Sequence, residues 1–406
     1  MTLLLLACTP EGDTVGHVDT GVESIPDDTS DAGLPADTGD SGEATGEECG
    51  EIAPDDAGWF ALFDPGVLHA YSLELAVADH DELAASPQDY VPANLTVDGV
   101  VMANVGLRMR GSGESMRWDA KPSFRIDLRR YGNCDPLASI DEIVLDAGED
   151  DPAMARQVLG AQVFAALGIA APAAAFATIQ VDGEAFGLYT QVEAVDAHFV
   201  AHHGFEPGGI LWEGKDGADF SAVGLGEWDD VGGGGDPATL AAVATAIATA
   251  GDDFYATVDT HLDMPQFLAT WAGLAAVGHH QSFPYEPGDG YLYAAPSDPR
   301  LVLIPWEVDE GWSSTFVWNG VETQLGLRCV YDATCHTALR GSLSAAIDGI
   351  TVANVPSLAS SAFTMSEAAA LADERKGWSN SEVLAAREAL ATSMTGWAAW
   401  LGAALQ

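Results

Sequence analysis

What most constrains the fold of this chain is a change of pattern partway along it. The first half reads as strands. "YSLELAV" (71–77) alternates apolar and polar residues, and "ANLTVDGVVMANVGLRMRG" (93–111) reads as two strands around an Asp98-Gly99 turn. "KPSFRIDLRRY" (121–131) is a further strand, and residues 176–195 form a hairpin turning at Asp182-Gly183. Two helices interrupt them: a short one at 79–85, and one from Asp151-Pro152 to Leu167 that Gly168 stops. The second half is mostly helical, at 237–250, 263–277 and 379–404, broken by a short hairpin at 290–304. Residues 224–237, with glycines at 232–235, are predicted to form a mobile loop. A strand-rich half, a helix-rich half and a cleft between them make a two-lobed α+β arrangement. There is no internal repeat and no apolar run long enough to span a bilayer.

Hydrophobic residues make up 48% of the 406 positions, enough for a substantial core. They avoid the N-terminal region. Residues 9–56 are dominated by Asp, Thr, Gly, Glu and Pro, with almost nothing to bury, and are predicted to be a disordered acidic linker. Ahead of them, "MTLLLLAC" (1–8) matches a bacterial lipobox with Cys8 as the lipidated residue, the remnant of a truncated signal. It lacks a Lys or Arg before the leucines and its apolar region is short, faults that a start codon assigned too far downstream would explain. The expectation is an exported chain, lipid-anchored to the bacterial envelope or cell surface, with a globular domain at 57–406. Four cysteines remain, and the pairs expected are Cys329 with Cys335 and Cys49 with Cys134. No C-x-x-C pattern points to zinc. The chain carries 62 acidic and 15 basic residues, a net charge of −47. Such a surface repels nucleic-acid phosphates and anionic lipid headgroups, so neither is an expected partner, and membrane contact is expected only through the lipid anchor. It favours cations.

One stretch concentrates that preference. In "LVLIPWEVDEGW" (301–312) an apolar strand runs into Glu307, Asp309 and Glu310. Either the strand simply runs out into solvent, or its carboxyl end delivers metal-binding oxygens to a cleft.

Three ordered blocks, residues 105–128 with "LRMRGSGES" and "KPSFRIDL", 141–196 with "DGEAFGLYTQVE" and 290–312 with "GYLY" and "IPWEVDEGW", together resemble the CotH family, spore-coat-type proteins with an atypical protein-kinase fold. "VGLRMRGSGESMRWDAKPSFRIDL" (105–128) is similar to that family's R-x-[RK]-G-[NS]-S followed by K-[KP]-S-[FY]-[RK]. Residues 141–196, with "DGEAFGLYTQVE", resemble its "NGE-x-x-GLY-x-x-x-E" hairpin. "GYLYAAPSDPRLVLIPWEVDEGW" (290–312) resembles its "NYYLY…IPWDLD" block. The resemblance implies a two-lobed kinase-like fold. It also implies transfer of a phosphoryl group from ATP, with Mg²⁺ or Mn²⁺, to Ser or Thr of exported or surface proteins.

By the same resemblance Lys121 contacts the nucleotide phosphates and Glu193 is its ion-pair partner. Arg110, Gly111 and Ser112 form a phosphate-facing loop, and Glu307 with Asp309 holds the metal. Read without the resemblance, Lys121 is a strand-edge lysine, residues 110–113 a glycine turn and Glu193 a strand-end acid. Two positions depart from the family pattern. Glu307 stands where the family has Asp, and Gln281, in "GHHQSFPYEPGDGYLY" (278–293), stands where it has an aspartate. An amide orients a hydroxyl but cannot take its proton, although Glu286 or Asp289 could substitute from the same loop, and His279 and His280 are further ligand or base candidates. The alternative is therefore a catalytically impaired pseudokinase serving as a surface interaction module. A hydrolase is less well supported, because Ser112 lies in a hairpin loop rather than a strand-to-helix elbow.

Overall fold

The structure is a computed structural model that describes residues 55–405 except 112, 135–136 and 314–319. The expectations for Cys8, Cys49, Ser112 and residues 1–54 lie outside the described residues.

Seven strands form a closed barrel: β1 (Leu68–Glu74), β2 (Val91–Val97), β3 (Val100–Arg110), β4 (Ser123–Asp127), β5 (Glu142–Asp146), β6 (Ala174–Val181) and β7 (Glu184–Glu193), in the order β1-β2-β3-β4-β5-β7-β6. Neighbours are antiparallel except at the seam, where β1 pairs parallel to β6 from Leu68↔Phe176 to Leu73↔Val181. The alternation seen in the sequence now has a cause: Val91, Ala93, Leu95 and Val97 of β2 all point inward, into a core with Leu73, Leu107, Phe124 and Ile126. Both Asp-Gly turns take left-handed backbone, φ 49° and 88° at Asp98-Gly99 and 50° and 81° at Asp182-Gly183, as a tight hairpin requires.

A second sheet has the order β11-β10-β8-β9, from β8 (Ile210–Gly214), β9 (Trp228–Asp230), β10 (Gly290–Ala294) and β11 (Leu301–Ile304). Its Leu211, Tyr291, Tyr293 and Ile304 pack with Val144 of β5, Val192 of β7 and Phe199 of α4 (Ala197–His202), joining the sheet to the outer wall of the barrel. The largest apolar cluster lies beyond it. There α3 (Arg156–Leu167), α5 (Pro237–Thr249), α6 (Phe254–Val258) and α7 (Met264–Val277) meet α8 (Gln324–Tyr331), α9 (Ala333–Ala353), α10 (Val355–Ala372) and α11 (Asn380–Ala404). Two short helices complete the set, α1 (Asp56–Leu62) and α2 (Val77–Ala85).

The mixed α+β class agrees with the expectation, with two differences: the strand-rich half is a closed barrel, and a whole sheet sits among the helices. Three local expectations also change. Helix α3 starts at Arg156 instead of Pro152, because the Asp151 carboxylate accepts from the backbone N–H of Ala153, Ala155 and Arg156 and holds residues 152–155 in turns. Residues 224–237 are not a plain loop. They contain a 3₁₀ turn and β9, and Asp230 gathers the N–H groups of Gly233 and Gly235. Chain order within the linker expectation (9–56) also changes at its end, since α1 already begins at Asp56, capped by Asp55. Cys329 and Cys335 are bonded, joining α8 to the first turn of α9. Cys134 is also disulfide-bonded.

Candidate functional site: an acidic cleft at the end of β11

β11 is buried until Ile304, and then Pro305 and Trp306 carry the chain toward α3 and α7. Four contacts hold the turn that follows. Val308 N–H donates to Gln157 Oε1 at 2.6 Å, and Gly311 N–H to the Val308 carbonyl at 3.1 Å. Trp312 N–H donates to the Val277 carbonyl at 2.5 Å. The Val308 side chain presses on Gly160 of α3, where a Cβ would come within 2.4 Å of Val308 Cγ2, so only glycine lets the turn approach. The turn is strained: Glu307 has φ +41° and Trp312 φ +60°, left-handed values that cost a non-glycine residue about 1–3 kcal/mol. The turn is held against α3 and α7 and its acids are only part-exposed, so the strand does not simply run out into solvent.

The turn faces a cavity of about 180 Å³ lined by Asp150, Asp216, His279, Gln281, Glu286, Pro287, Gly288, Asp289, Glu307, Asp309 and Glu310. Every charged group in that lining is acidic. Crowding and burial raise several of them. Asp289 is pushed up to about 8, first by burial and then by Glu307, Asp216 and Glu213. Asp309 rises well above the ordinary carboxyl range, again by burial first, then by Glu307, Asp146, Asp151 and Glu310. His279 is buried, and burial followed by its neighbour His280 lowers it to about 3, so its ring is neutral.

One cation meets this field from the barrel. Arg110, at the end of β3 and 4% exposed, donates from Nη2 to Glu307 Oε1 at 2.5 Å and from Nη1 to Asp146 Oδ2 at 3.3 Å. Its guanidinium also lies 5.9 Å from the Trp306 ring. Gly111 follows with φ +86°, and a Cβ there would meet Ser115 Oγ at 2.5 Å. Asp309 also borders a small void with Asp146, Gly148 and Leu188.

The structure therefore brings Arg110, Gln281, Asp289, Glu307 and Asp309 to one place and leaves Glu193 out. Glu193 is buried at the far end of β7, accepting from Trp59 Nε1 at 2.9 Å, from Ala173 N–H at 3.0 Å and from His203 Nε2 at 2.9 Å. Its expected pairing with Lys121 is not made, because Lys121 pairs instead with Asp373 at 2.9 Å. Asp146, Asp150, Asp216 and Asp373 were missed in the sequence. Asp146 alone left a signal, as the acid closing an apolar strand in "EIVLD" (142–146), much like the opening acids of 307–310.

The donors in the cleft are hard carboxylate oxygens, the kind that Mg²⁺ and Mn²⁺ prefer. As placed, however, no three His, Cys, Asp or Glu side chains among the described residues are grouped closely enough to hold a metal ion. The donor chemistry fits, while the spacing would have to close.

Residues 107–332 match the family described as CotH kinase protein. The chain is also 27% identical over 236 residues to the inner spore coat protein H of Bacillus subtilis (strain 168), in an alignment taking in 55% of this chain and 63% of that protein. Less than two thirds of that relative's length is thus spanned. The family match covers more than half of the chain and contains Arg110, Gln281, Glu307 and Asp309, and on that basis the chain belongs to the CotH family.

Proposed function

We propose that the acidic cleft is the site of a kinase-like phosphoryl transfer, from ATP with Mg²⁺ or Mn²⁺ to a Ser or Thr hydroxyl of an exported or surface protein. The barrel and the helical half with its sheet are the two lobes of that reading. The observation that carries it is the meeting of Arg110 with Glu307, Asp309, Asp289 and Gln281 at the end of β11. A bound divalent ion would neutralise the transferred phosphate's charge, with Glu307 and Asp309 the residues to hold it. Gln281 orients the acceptor hydroxyl by hydrogen bonding and takes no proton. Asp289 can take that proton once it is ionised, which its raised pKa of about 8 delays to mildly alkaline pH. A loose transition state asks little of such a base. The name of the Bacillus relative supports a setting outside the cytoplasm, and an anchor at Cys8 is part of the same proposal. No helix among the described residues is long and apolar enough to cross a membrane.

A second reading has its own support. Glu307 is already held by Arg110, and among the described residues no metal-ready group of side chains exists as placed. These favour a catalytically impaired member that binds without transferring.

One assay separates them: the full chain with labelled ATP, Mg²⁺ or Mn²⁺ and a test protein, beside a Glu307→Ala/Asp309→Ala double variant. Label on protein with the native chain, lost in the variant, is the expected result. Metal-dependent nucleotide binding with no transfer would establish the second reading. An absence of binding would remove both.

A further inference from the structure

The G-L-Y motif of β7 and the segment after α10 are not absorbed by the cleft, and they meet at Lys121. An ammonium has three N–H groups. At Lys121 all three have acceptors: the Ala147 carbonyl at 2.8 Å, the Leu188 carbonyl at 2.5 Å and Asp373 Oδ2 at 2.9 Å. Lys121 is 8% exposed, and the Asp373 side chain is fully buried. Its ammonium also sits 4.7 Å from the ring of Tyr189.

Each residue of the motif has a part in this. Gly187, at φ +104°, leaves bare the space where Asp373 enters; a Cβ there would lie 2.1 Å from Asp373 Cγ. Leu188 donates its N–H to Asp373 Oδ2 at 3.0 Å and gives its carbonyl to Lys121. The segment carrying Asp373 is itself clamped to the barrel. Arg375 donates to the carbonyls of Trp118 and Ala120 and to Glu184, with its guanidinium 3.9 Å from the Phe186 ring. The N–H groups of Arg375 and Lys376 bind Asp373 Oδ1.

We propose that Asp373 and Lys121 are a positioning pair for the cleft, and that Lys121 does not contact the nucleotide phosphates. The pair acts through the turn after β5. Lys121 holds the Ala147 carbonyl, the adjoining Asp146 holds Arg110, and Arg110 holds Glu307 at the mouth of the cleft. Asp373 lies outside the family-matched residues 107–332, so a segment beyond that match completes the site. Glu193 has no share in it. Leu188 and Glu193 are five residues apart on β7, about 17 Å along an extended strand. The consequence for ligand binding rests on the reading of the cleft as a nucleotide site; the pairing itself does not.

The experiment is amine labelling of Lys121 in the full chain, followed residue by residue by mass spectrometry, with and without Mn²⁺-ATP. Native, Asp373→Asn and Glu193→Gln proteins are compared. The native rate is expected to be slow and the same with nucleotide present. Asp373→Asn is expected to raise it about tenfold, the scale of one lost charge-assisted hydrogen bond, and Glu193→Gln to leave it unchanged. Protection of native Lys121 by nucleotide would overturn the proposal, as would a rate raised by Glu193→Gln and not by Asp373→Asn. In parallel, Asp373→Asn is expected to weaken Mn²⁺-ATP binding about tenfold. Asp236→Ala, which removes the remote N-cap of α5, costs stability without touching the cleft and is expected to leave that Kd unchanged. Equal Kd values for native and Asp373→Asn would show a structural contact only and overturn the positioning role. If the native chain binds no nucleotide, the proposed function fails, while the labelling comparison still decides the pair.

Discussion

At the scale of single residues, Arg110 is a buried cation set among many acids. Arg110 compensates Asp146 and Glu307 together. Replacing it by Met keeps much of the apolar stem and removes the charge, leaving two carboxylates facing each other. Arg110→Met is expected to destabilise the fold by about 3 kcal/mol, the lower end for a broken buried pair because both acids keep some contact with water. Urea unfolding at neutral pH measures this, and a loss below about 0.5 kcal/mol would place the pair among weak surface bridges. The acids of 307–310 were legible in the sequence because they follow an apolar strand directly. The partner of Lys121 was not. Glu193 and Asp373 are both acids at the ends of regular segments, and nothing in their local pattern tells which one the tertiary fold brings to the lysine. Gly187 was visible only as part of a motif, and its meaning depends on a residue arriving from far along the chain.

At the scale of elements, the strands and their Asp-Gly turns were readable because period two and left-handed turn chemistry are local properties. α7 and α11 were too, matching the expected 263–277 and 379–404 closely. The start of α3 was misplaced because Asp151, a good cap by type, spends its oxygens on a longer turn. β9 was hidden by the glycines after it, which Asp230 organises. α4 gives a pH test of local order. Its N-cap Asp196 accepts from the N–H groups of His198 and Phe199, yet burial raises its pKa to about 6. A carboxyl whose folded pKa is raised stays protonated in the fold while the unfolded chain ionises, so stability falls as pH rises from about 4 to about 6. Asn caps as well as Asp and does not ionise. Asp196→Asn is therefore expected to match the native protein near pH 4 and exceed it above pH 6. Thermal melts across that range check it, and parallel curves would mean that Asp196 ionises freely.

At the scale of the whole molecule, charge and topology set the conditions under which the parts assemble. A net charge of −47 is self-repulsive, and salt screens it over a Debye length that shrinks from about 10 Å at 0.1 M to about 3 Å at 1 M. Tm is expected to rise with sodium chloride over that range, and to rise more steeply with Mg²⁺ at equal ionic strength if the cleft takes up the ion. A Tm indifferent to salt would mean the acids are already compensated locally. The α+β class and the order of strand-rich and helix-rich halves were open to sequence reading, since both follow from composition and period. Closure of the barrel was not, because it depends on two strands separated by four others. That seam has a consequence for synthesis. A nascent chain emerging from its N-terminus presents β1 long before β6 exists, and β1 pairs with β2 on one side only until then. During that interval the other edge of β1 is an open template for any extended segment nearby. β6 covers that edge, but β5 and the far side of β6 stay open until β7 joins them, so the arrival of the final strand, rather than the first strand to form, determines when the nascent protein stops being prone to join its neighbours.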